Sequence, residues 1–186
     1  MSAQKPIQRP RGFTLVELLI VVIILAILAA IVIPQFSNAT TDTQESALDS
    51  NLGSMRNAIE LYKAQHVTYP GGVAATGGAG AATCATPGAG AIDTSQAALA
   101  HLLNYSDRNG NTCTVGDAVN YKYGPYLRKA LPVDPITQKN DLVVTATGAP
   151  IVPAAATGGW AYDTKSGQIV MNSNANDSKG KAFSTH

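Results

Sequence analysis

The sequence has few charged side chains, few histidines and only two cysteines. Asp, Glu, Lys and Arg make up 13% of the 186 residues, about half the share of a usual globular protein. The net charge is +1 and the basic residues are scattered after residue 12, so the basic patch that nucleic-acid binding needs is missing. The three histidines are isolated, and they form no zinc-ligand or catalytic-triad pattern with the other residues. The composition therefore predicts a protein that is not an enzyme.

A long apolar run near the N-terminus is the strongest feature of the sequence. Residues 1–12 are polar and carry three basic side chains but no acid. Residues 13–33 are interrupted by polar side chains only at Thr14 and Glu17, and an apolar helix of about 20 residues spans a bilayer. Because basic residues beside such a helix stay in the cytoplasm, we expect the rest of the chain to be exported.

Three interpretations of this run compete. A secretory signal peptide has a shorter apolar region and a small-residue cleavage site, which this run does not offer. A plain signal anchor explains the hydrophobicity but leaves Glu17 unexplained, because an acid in the apolar region costs about 2.5–3.5 kcal/mol. The third interpretation gives Glu17 a partner, and it depends on the residues around position 12.

The segment from Arg11 to Ile20 closely resembles the processing site of type IV prepilins and type II secretion pseudopilins. The resemblance implies cleavage between Gly12 and Phe13 by a membrane prepilin peptidase, followed by N-methylation of Phe13. It also implies that Glu17 faces the amine of a neighbouring subunit, and a low-dielectric setting strengthens such a pair. Gly12 suits recognition by a protease because it has no side chain to obstruct access.

The pattern after the apolar run predicts that the helix continues and becomes amphipathic. Pro34, which pilins carry at the matching place, should kink the helix because it removes one backbone hydrogen bond. The helix should end before Tyr69, where a Tyr-Pro-Gly-Gly sequence begins. Between these points, five apolar residues recur at steps of four and three and define one helix face: Leu48, Leu52, Met55, Ile59 and Tyr62.

Short elements are predicted for the remainder of the chain. A helix capped by Asp93 or Thr94 should reach Leu103 or Asn104. Strands are expected at 142–147, 160–162 and 168–171, the last two joined as a hairpin.

Cys84 and Cys113 lie in loop sequences rich in Gly, Thr and Asn, on either side of the short helix. We interpret them as one structural disulfide formed in an oxidising compartment. Two buried free thiols are the alternative.

These predictions describe an α+β protein with the pilin fold. A long N-terminal hydrophobic and amphipathic helix packs on a small C-terminal antiparallel β-sheet domain. We expect five segments, namely a cleaved leader, a membrane or filament-core helix half, an amphipathic helix half, a globular domain and a flexible polar tail, at 1–12, 13–34, 35–66, 67–172 and 173–186.

The favoured function is a structural subunit of a type IV pilus or pilus-like filament. Its partners would be copies of itself in a helical filament, the prepilin peptidase and methylase, and an inner-membrane assembly platform with its ATPase. The chain would first be a single-pass precursor in the bacterial inner membrane and later part of a filament at the cell surface.

Two alternatives to this function remain open. The residues from Gly124 to Leu127 and the Asp134-Pro135 pair resemble, more loosely, the major pseudopilins of type II secretion. A protein of another class, an extracytoplasmic binding protein tethered by the helix, would have no use for Glu17 or the Gly12–Phe13 junction.

No cofactor is expected. The sequence from Asp107 to Asn111 begins like a calcium-binding loop, but Thr112 and Ala118 stand where such a loop has glycine and glutamate. A polar turn is the better interpretation of this segment, and calcium is kept only as an alternative.

Overall fold

The computed structural model describes residues 12–78, 82 and 84–186, with side chains for all of these except residues 33–38. The helices in this part of the chain are α1 (Leu15–His66), α2 (Ser95–Leu103) and a 3₁₀-helix (Phe183–Thr185). The strands are β1 (Tyr105–Ser106), β2 (Thr112–Cys113), β3 (Leu142–Thr145), β4 (Trp160–Asp163) and β5 (Ile169–Met171). These elements confirm the α+β class and the long first helix.

The chain divides into two compact units, residues 1–41 and 42–186, and α1 contributes residues to both. In the second unit the predicted apolar stripe of α1 forms the centre of the core. All five of its members are at most 1% exposed: Leu48, Leu52, Met55, Ile59 and Tyr62. The first four pack with residues of α2, the sheet and the 3₁₀-helix, including Ala98, Leu102, Trp160, Ile169 and Phe183. The amphipathic period therefore located the core-facing side of α1 correctly.

The start of α2 also follows the prediction. Thr94 is its N-cap, and the Thr94 hydroxyl accepts a hydrogen bond from the Ala97 N–H at 3.2 Å. The apolar pattern of this helix predicts that Ala98, Leu99, Leu102 and Leu103 face inward. Ala98 and Leu102 are buried, whereas Leu99 and Leu103 are only partly buried. The pattern did not identify two further interior positions, Ala97 and His101, which are both fully buried.

The sheet differs from the antiparallel one that we expected. The hairpin is confirmed, because β4 and β5 pair antiparallel around a turn that follows Asp163. However, β3 pairs with β4 in parallel, with Leu142 opposite Trp160. Parallel pairing needs a crossover of about a dozen residues or more, and residues 146–159 supply a connection of that length. The sheet is therefore mixed, with strand order β3-β4-β5.

Residues 173–186 also differ from the expected flexible polar tail. Phe183 is only 7% exposed and belongs to the main core. The Ser178 N–H and hydroxyl both donate to the Glu45 carboxylate on α1, at 2.7 and 2.9 Å. An aromatic side chain in the core and an acid on the facing helix therefore help to hold this polar segment against the domain.

Candidate assembly site

The start of α1 is closed by a reciprocal pair of side-chain contacts. The Glu17 carboxylate accepts hydrogen bonds from the Thr14 N–H and the Thr14 hydroxyl, both at 2.8 Å through Oε2. In return, the Glu17 N–H donates to the Thr14 hydroxyl oxygen at 3.2 Å. Since α1 begins at Leu15, Thr14 is the N-cap and Glu17 the third helical residue, which is the arrangement of a capping box.

The capping box gives Glu17 a partner that our sequence reasoning missed. We assigned the carboxylate only to the Phe13 amine of another subunit, although the spacing Thr-x-x-Glu before an apolar run is itself a signal for this cap. Among residues 12–78, 82 and 84–186, no cation lies within ion-pair distance of Glu17. The charge is therefore held by local hydrogen bonds but not neutralised within this part of the chain.

The helix that follows the box offers an unpartnered apolar surface. Leu15–Val32 has a mean hydropathy of 3.3 and is long and apolar enough to cross a membrane, by length and composition. None of this stretch is buried within the protein. Such a surface needs lipid or other apolar helices, because water would otherwise contact it all round.

Gly12 and Phe13 lie in the non-helical residues just before α1, and the Phe13 side chain is 80% exposed. A Cβ added at Gly12 would meet no heavy atom within 4 Å among the described residues, and the Gly12 backbone is not in the left-handed region. The described fold therefore gives no reason for a glycine at this position.

Two predictions on the N-terminal half lie partly outside the described residues. Residues 1–11 of the predicted leader are not among them. Pro34 falls within α1, but its side chain is among those that the description omits. The cleavage, the methylation and the helix kink all stay predictions.

The predicted disulfide is confirmed. Cys84 and Cys113 are bonded, with their Cα atoms 5.9 Å apart, and both residues are at least nine-tenths buried. They form a small core of their own with Tyr121, which lies apart from the main core. The bridge ties the loop before α2 to strand β2.

Removing this disulfide should destabilise the globular unit substantially. For a separation of 29 residues, we expect the double variant Cys84→Ser/Cys113→Ser to lose about 3–4 kcal/mol of unfolding free energy, because its unfolded chain gains entropy. Unfolding of the detergent-solubilised chain can be followed by fluorescence of Trp160, the only tryptophan and fully buried. Reduced wild-type protein should match the variant. Alkylation of both cysteines in native, unreduced protein would contradict the bridge.

The segment that resembles a calcium loop is closed by its own hydrogen bonds. Asp107 Oδ1 accepts from the N–H groups of Asn109 and Asn111, at 2.8 and 2.9 Å. Asp107 Oδ2 accepts from the Asn111 side-chain amide at 2.8 Å. These contacts are those of a polar turn. In the described part of the chain, no group of three His, Cys, Asp or Glu side chains is arranged to hold a metal.

Two further aspartates act as buried hubs for the loops. Asp163 and Asp134 are both fully buried. Burial raises the pKa of the Asp163 carboxyl, but hydrogen bonds from the backbone of Ser166, Gly148 and Thr147 outweigh it and hold the pKa well below its usual value. Asp134 is shifted in the same direction for the same reasons, with donors that include the Gly159 N–H at 2.8 Å.

His101 has a structural role. It accepts a hydrogen bond from the Gly71 N–H at Nδ1 and contacts the Gly110 carbonyl through Nε2, both at 2.8 Å. Because Nδ1 is the acceptor, Nε2 carries the proton and donates, so the neutral ring satisfies both partners. Burial lowers the pKa of His101 to about 4, which keeps the ring neutral at ordinary pH.

The N-terminal segment carries a known family motif. Residues 7–33 match the protein-family description "Prokaryotic N-terminal methylation motif". The matched residues include Gly12, Phe13 and Glu17, together with most of the exposed apolar helix.

Over part of its length, the chain is homologous to type IV fimbrial proteins and type II secretion proteins. It is 56% identical over 50 residues to the type IV major fimbrial protein FimA of Dichelobacter nodosus, which is 27% of this chain and 32% of FimA. It is 35% identical over 63 residues to the type II secretion system core protein G of Klebsiella pneumoniae, covering 34% of this chain and 45% of that protein. For the core protein G of Pseudomonas aeruginosa the identity is 36% over 59 residues, or 32% and 42% of the two chains.

The matched region thus spans about a third of the fimbrial relative and less than half of each secretion protein. No solved structure matches the chain significantly.

Proposed function

We propose that this chain is the precursor of a structural filament subunit, of the type IV pilin or pseudopilin kind. In this proposal a prepilin peptidase cuts it after Gly12 and methylates Phe13. The exposed apolar half of α1 holds the precursor in the inner membrane and later packs against the same half of other subunits. Head-to-tail packing that does not close into a ring produces a helical fibre.

The observation that carries the proposal is an acid fixed at the start of an apolar helix, with no cation within ion-pair distance among the described residues. Thr14 orients the Glu17 carboxylate and satisfies part of its hydrogen-bonding capacity. A carboxylate that is enclosed among apolar helices in a fibre still favours a cation, and cleavage after Gly12 creates one at Phe13. A neighbouring subunit shifted along the fibre can present this amine to Glu17, and the pair then fixes the register between subunits. An assembly platform and its ATPase are further partners in this proposal, and no cofactor is required.

A secretion pseudopilus is the second candidate, since the homologous region aligns with both the fimbrial and the secretion proteins. The confirmed Cys84–Cys113 bridge and its large loop favour a pilus, whereas the resemblance of Gly124–Leu127 favours the secretion group. Deletion of the gene separates the two. Loss of surface fibres with intact secretion supports a pilus, and loss of enzyme secretion supports a pseudopilus.

The processing step predicts a defined mature N-terminus. The intact mass of protein from cell envelopes should correspond to a chain that begins with methylated Phe13. Gly12→Asp should leave almost all of the protein as full-length precursor in the membrane, because the described fold tolerates a side chain there while the peptidase does not. Quantitative mass spectrometry of the two forms is the measurement.

A matched glycine variant separates processing from folding. A Cβ at Gly53, within α1, also meets nothing within 4 Å, so Gly53→Asp should be cut normally. A mature wild-type chain that retains residues 1–12, or that is cut beyond the apolar run, would refute the proposal.

A further inference from the structure

The segment that follows β5 lies on the helix surface of α1 and is fastened at three points. Glu45 accepts two hydrogen bonds from Ser178, as described above. Further along α1, Arg56 donates to the main-chain carbonyl of His186 at 2.7 Å. Between these contacts Phe183 enters the core, 7% exposed. Residues 173–186, which we call the strap, therefore form a closed contact with α1 within the globular unit.

The third fastening is the His186 imidazole, which lies between two carboxylates. Its Nδ1 is 2.8 Å from Asp49 Oδ1 on α1, and its Nε2 is 3.2 Å from Asp177 Oδ2 on the strap. The His186 side chain is only 7% exposed. Asp177 cannot easily turn away, because its Oδ1 accepts the N–H groups of Lys179 and Lys181 at 2.8 and 2.7 Å.

The protonation state of the ring decides how well this arrangement is satisfied. A neutral imidazole has one N–H and directs a lone pair from its other nitrogen, so it can serve only one of two carboxylates. An imidazolium has two N–H groups and a positive charge, so it attracts both carboxylates. The Nε2 contact with Asp177 is within ion-pair distance but lacks hydrogen-bond geometry, so charge is the main attraction there.

Other charged groups also surround His186. On α1 these groups are the acids Asp42 and Glu45 and the base Arg56. Asp42 and Glu45 line a cavity of about 220 Å³ that His186 also lines. On the strap the base Lys179 lines the cavity. Acids outnumber bases around the ring once Asp49 and Asp177 are included. The 3₁₀-helix contributes the uncharged Phe183 ring, whose centre lies 5.9 Å from that of His186.

We infer that the strap is a pH-dependent latch on α1, closed by the imidazolium of His186 and loosened when that ring loses its proton. Loosening uncovers the α1 surface from Glu45 to Arg56 and the core site of Phe183. Histidine is the side chain whose charge ordinarily changes between about pH 5 and 8. Burial lowers the pKa of the His66 imidazole and lowers that of His101 to about 4, so His101 stays neutral throughout this range.

Hydrogen exchange of the detergent-solubilised full chain tests the latch. Amide protection of the strap peptides, corrected for intrinsic rates, should fall about tenfold or more from about pH 5 to about pH 8. Peptides covering β4 serve as an internal control and should keep their protection. Equal protection of the strap at the two pH values would overturn the inference.

Two variants assign the effect to the proposed groups. His186→Gln should leave the strap poorly protected at both pH values, because glutamine carries no charge at either. Asp49→Asn keeps the size of its side chain and should reduce the pH dependence without unfolding the domain, since the Asp49 side chain is 61% exposed. A pH dependence in His186→Gln equal to that of wild type would show that another group titrates, and would refute the role of His186.

Discussion

Glu17→Ala is expected to abolish filaments while leaving membrane insertion and cleavage intact. The change removes a charge from the apolar run, so insertion should improve or stay the same. The Gly12–Phe13 junction is unchanged, so the peptidase should still act. Assembly should fall by tenfold or more, because the Phe13 amine of a neighbouring subunit loses its counter-charge. Immunodetection of the subunit in sheared surface fractions and in membrane fractions measures both outcomes.

A matched variant distinguishes the charge of Glu17 from its role in the helix cap. Glu17→Gln keeps a side-chain oxygen that can accept the hydrogen bonds of Thr14, but it carries no charge. If pairing with the amine drives assembly, this variant should fail almost as completely as Glu17→Ala. Glu60→Ala, which removes an exposed acid from the same helix outside the apolar run, should still form filaments. Normal filament yield from Glu17→Ala would mean that the carboxylate is not an assembly contact.

Asp163→Ala is expected to lower the unfolding free energy by more than about 3 kcal/mol. The buried carboxylate accepts hydrogen bonds from six donors, four of them backbone N–H groups: those of Thr147, Gly148, Lys165 and Ser166, with the hydroxyls of Thr145 and Thr147. Alanine leaves these buried donors without an acceptor. It also removes the carboxylate that joins the connection after β3 to the hairpin turn between β4 and β5. Urea unfolding followed by Trp160 fluorescence gives the free energy.

The pH dependence of stability should change in the same variant. Because the pKa of Asp163 is held below its unfolded value of about 3.9, its contribution is fully present above that pH and disappears as the pH falls further. Wild type should therefore lose stability below about pH 4, and Asp163→Asn should lose less. Asp141→Ala, an exposed aspartate beside β3, is the matched control and should change stability by less than about 0.5 kcal/mol. Equal stability of Asp163→Ala and this control would refute the role of the hub.

The described structure gives Glu17 one partner, and the proposed filament adds a second. In the single chain Thr14 caps it, and in the proposed filament the amine of a neighbour pairs with it. Local hydrogen bonding and long-range charge pairing use different properties of the same carboxylate, so one does not exclude the other.

The features that the sequence alone determined depend on residues that are close together along the chain. The apolar run is visible as a continuous stretch, and the buried stripe from Leu48 to Tyr62 and the cap at Thr94 follow from spacings of three or four residues. The Thr14–Glu17 cap has such a spacing too, although our sequence reasoning missed it. Such spacings place side chains on one helix face or one helix end whatever the rest of the protein does. The predicted processing junction at Gly12 is equally local, because it is read from a short segment of the sequence.

Only the tertiary structure decided the features that join distant parts of the chain. His186 meets Asp49 across 137 positions, and Ser178 meets Glu45 across 133. The parallel pairing of β3 with β4 depends on where the connection between them returns to the sheet. No period in the sequence encodes these contacts, because each requires the core to form first and to bring both partners to one surface. The sequence of residues 173–186 therefore did not reveal that they pack on α1. That helix ends more than a hundred residues earlier in the chain.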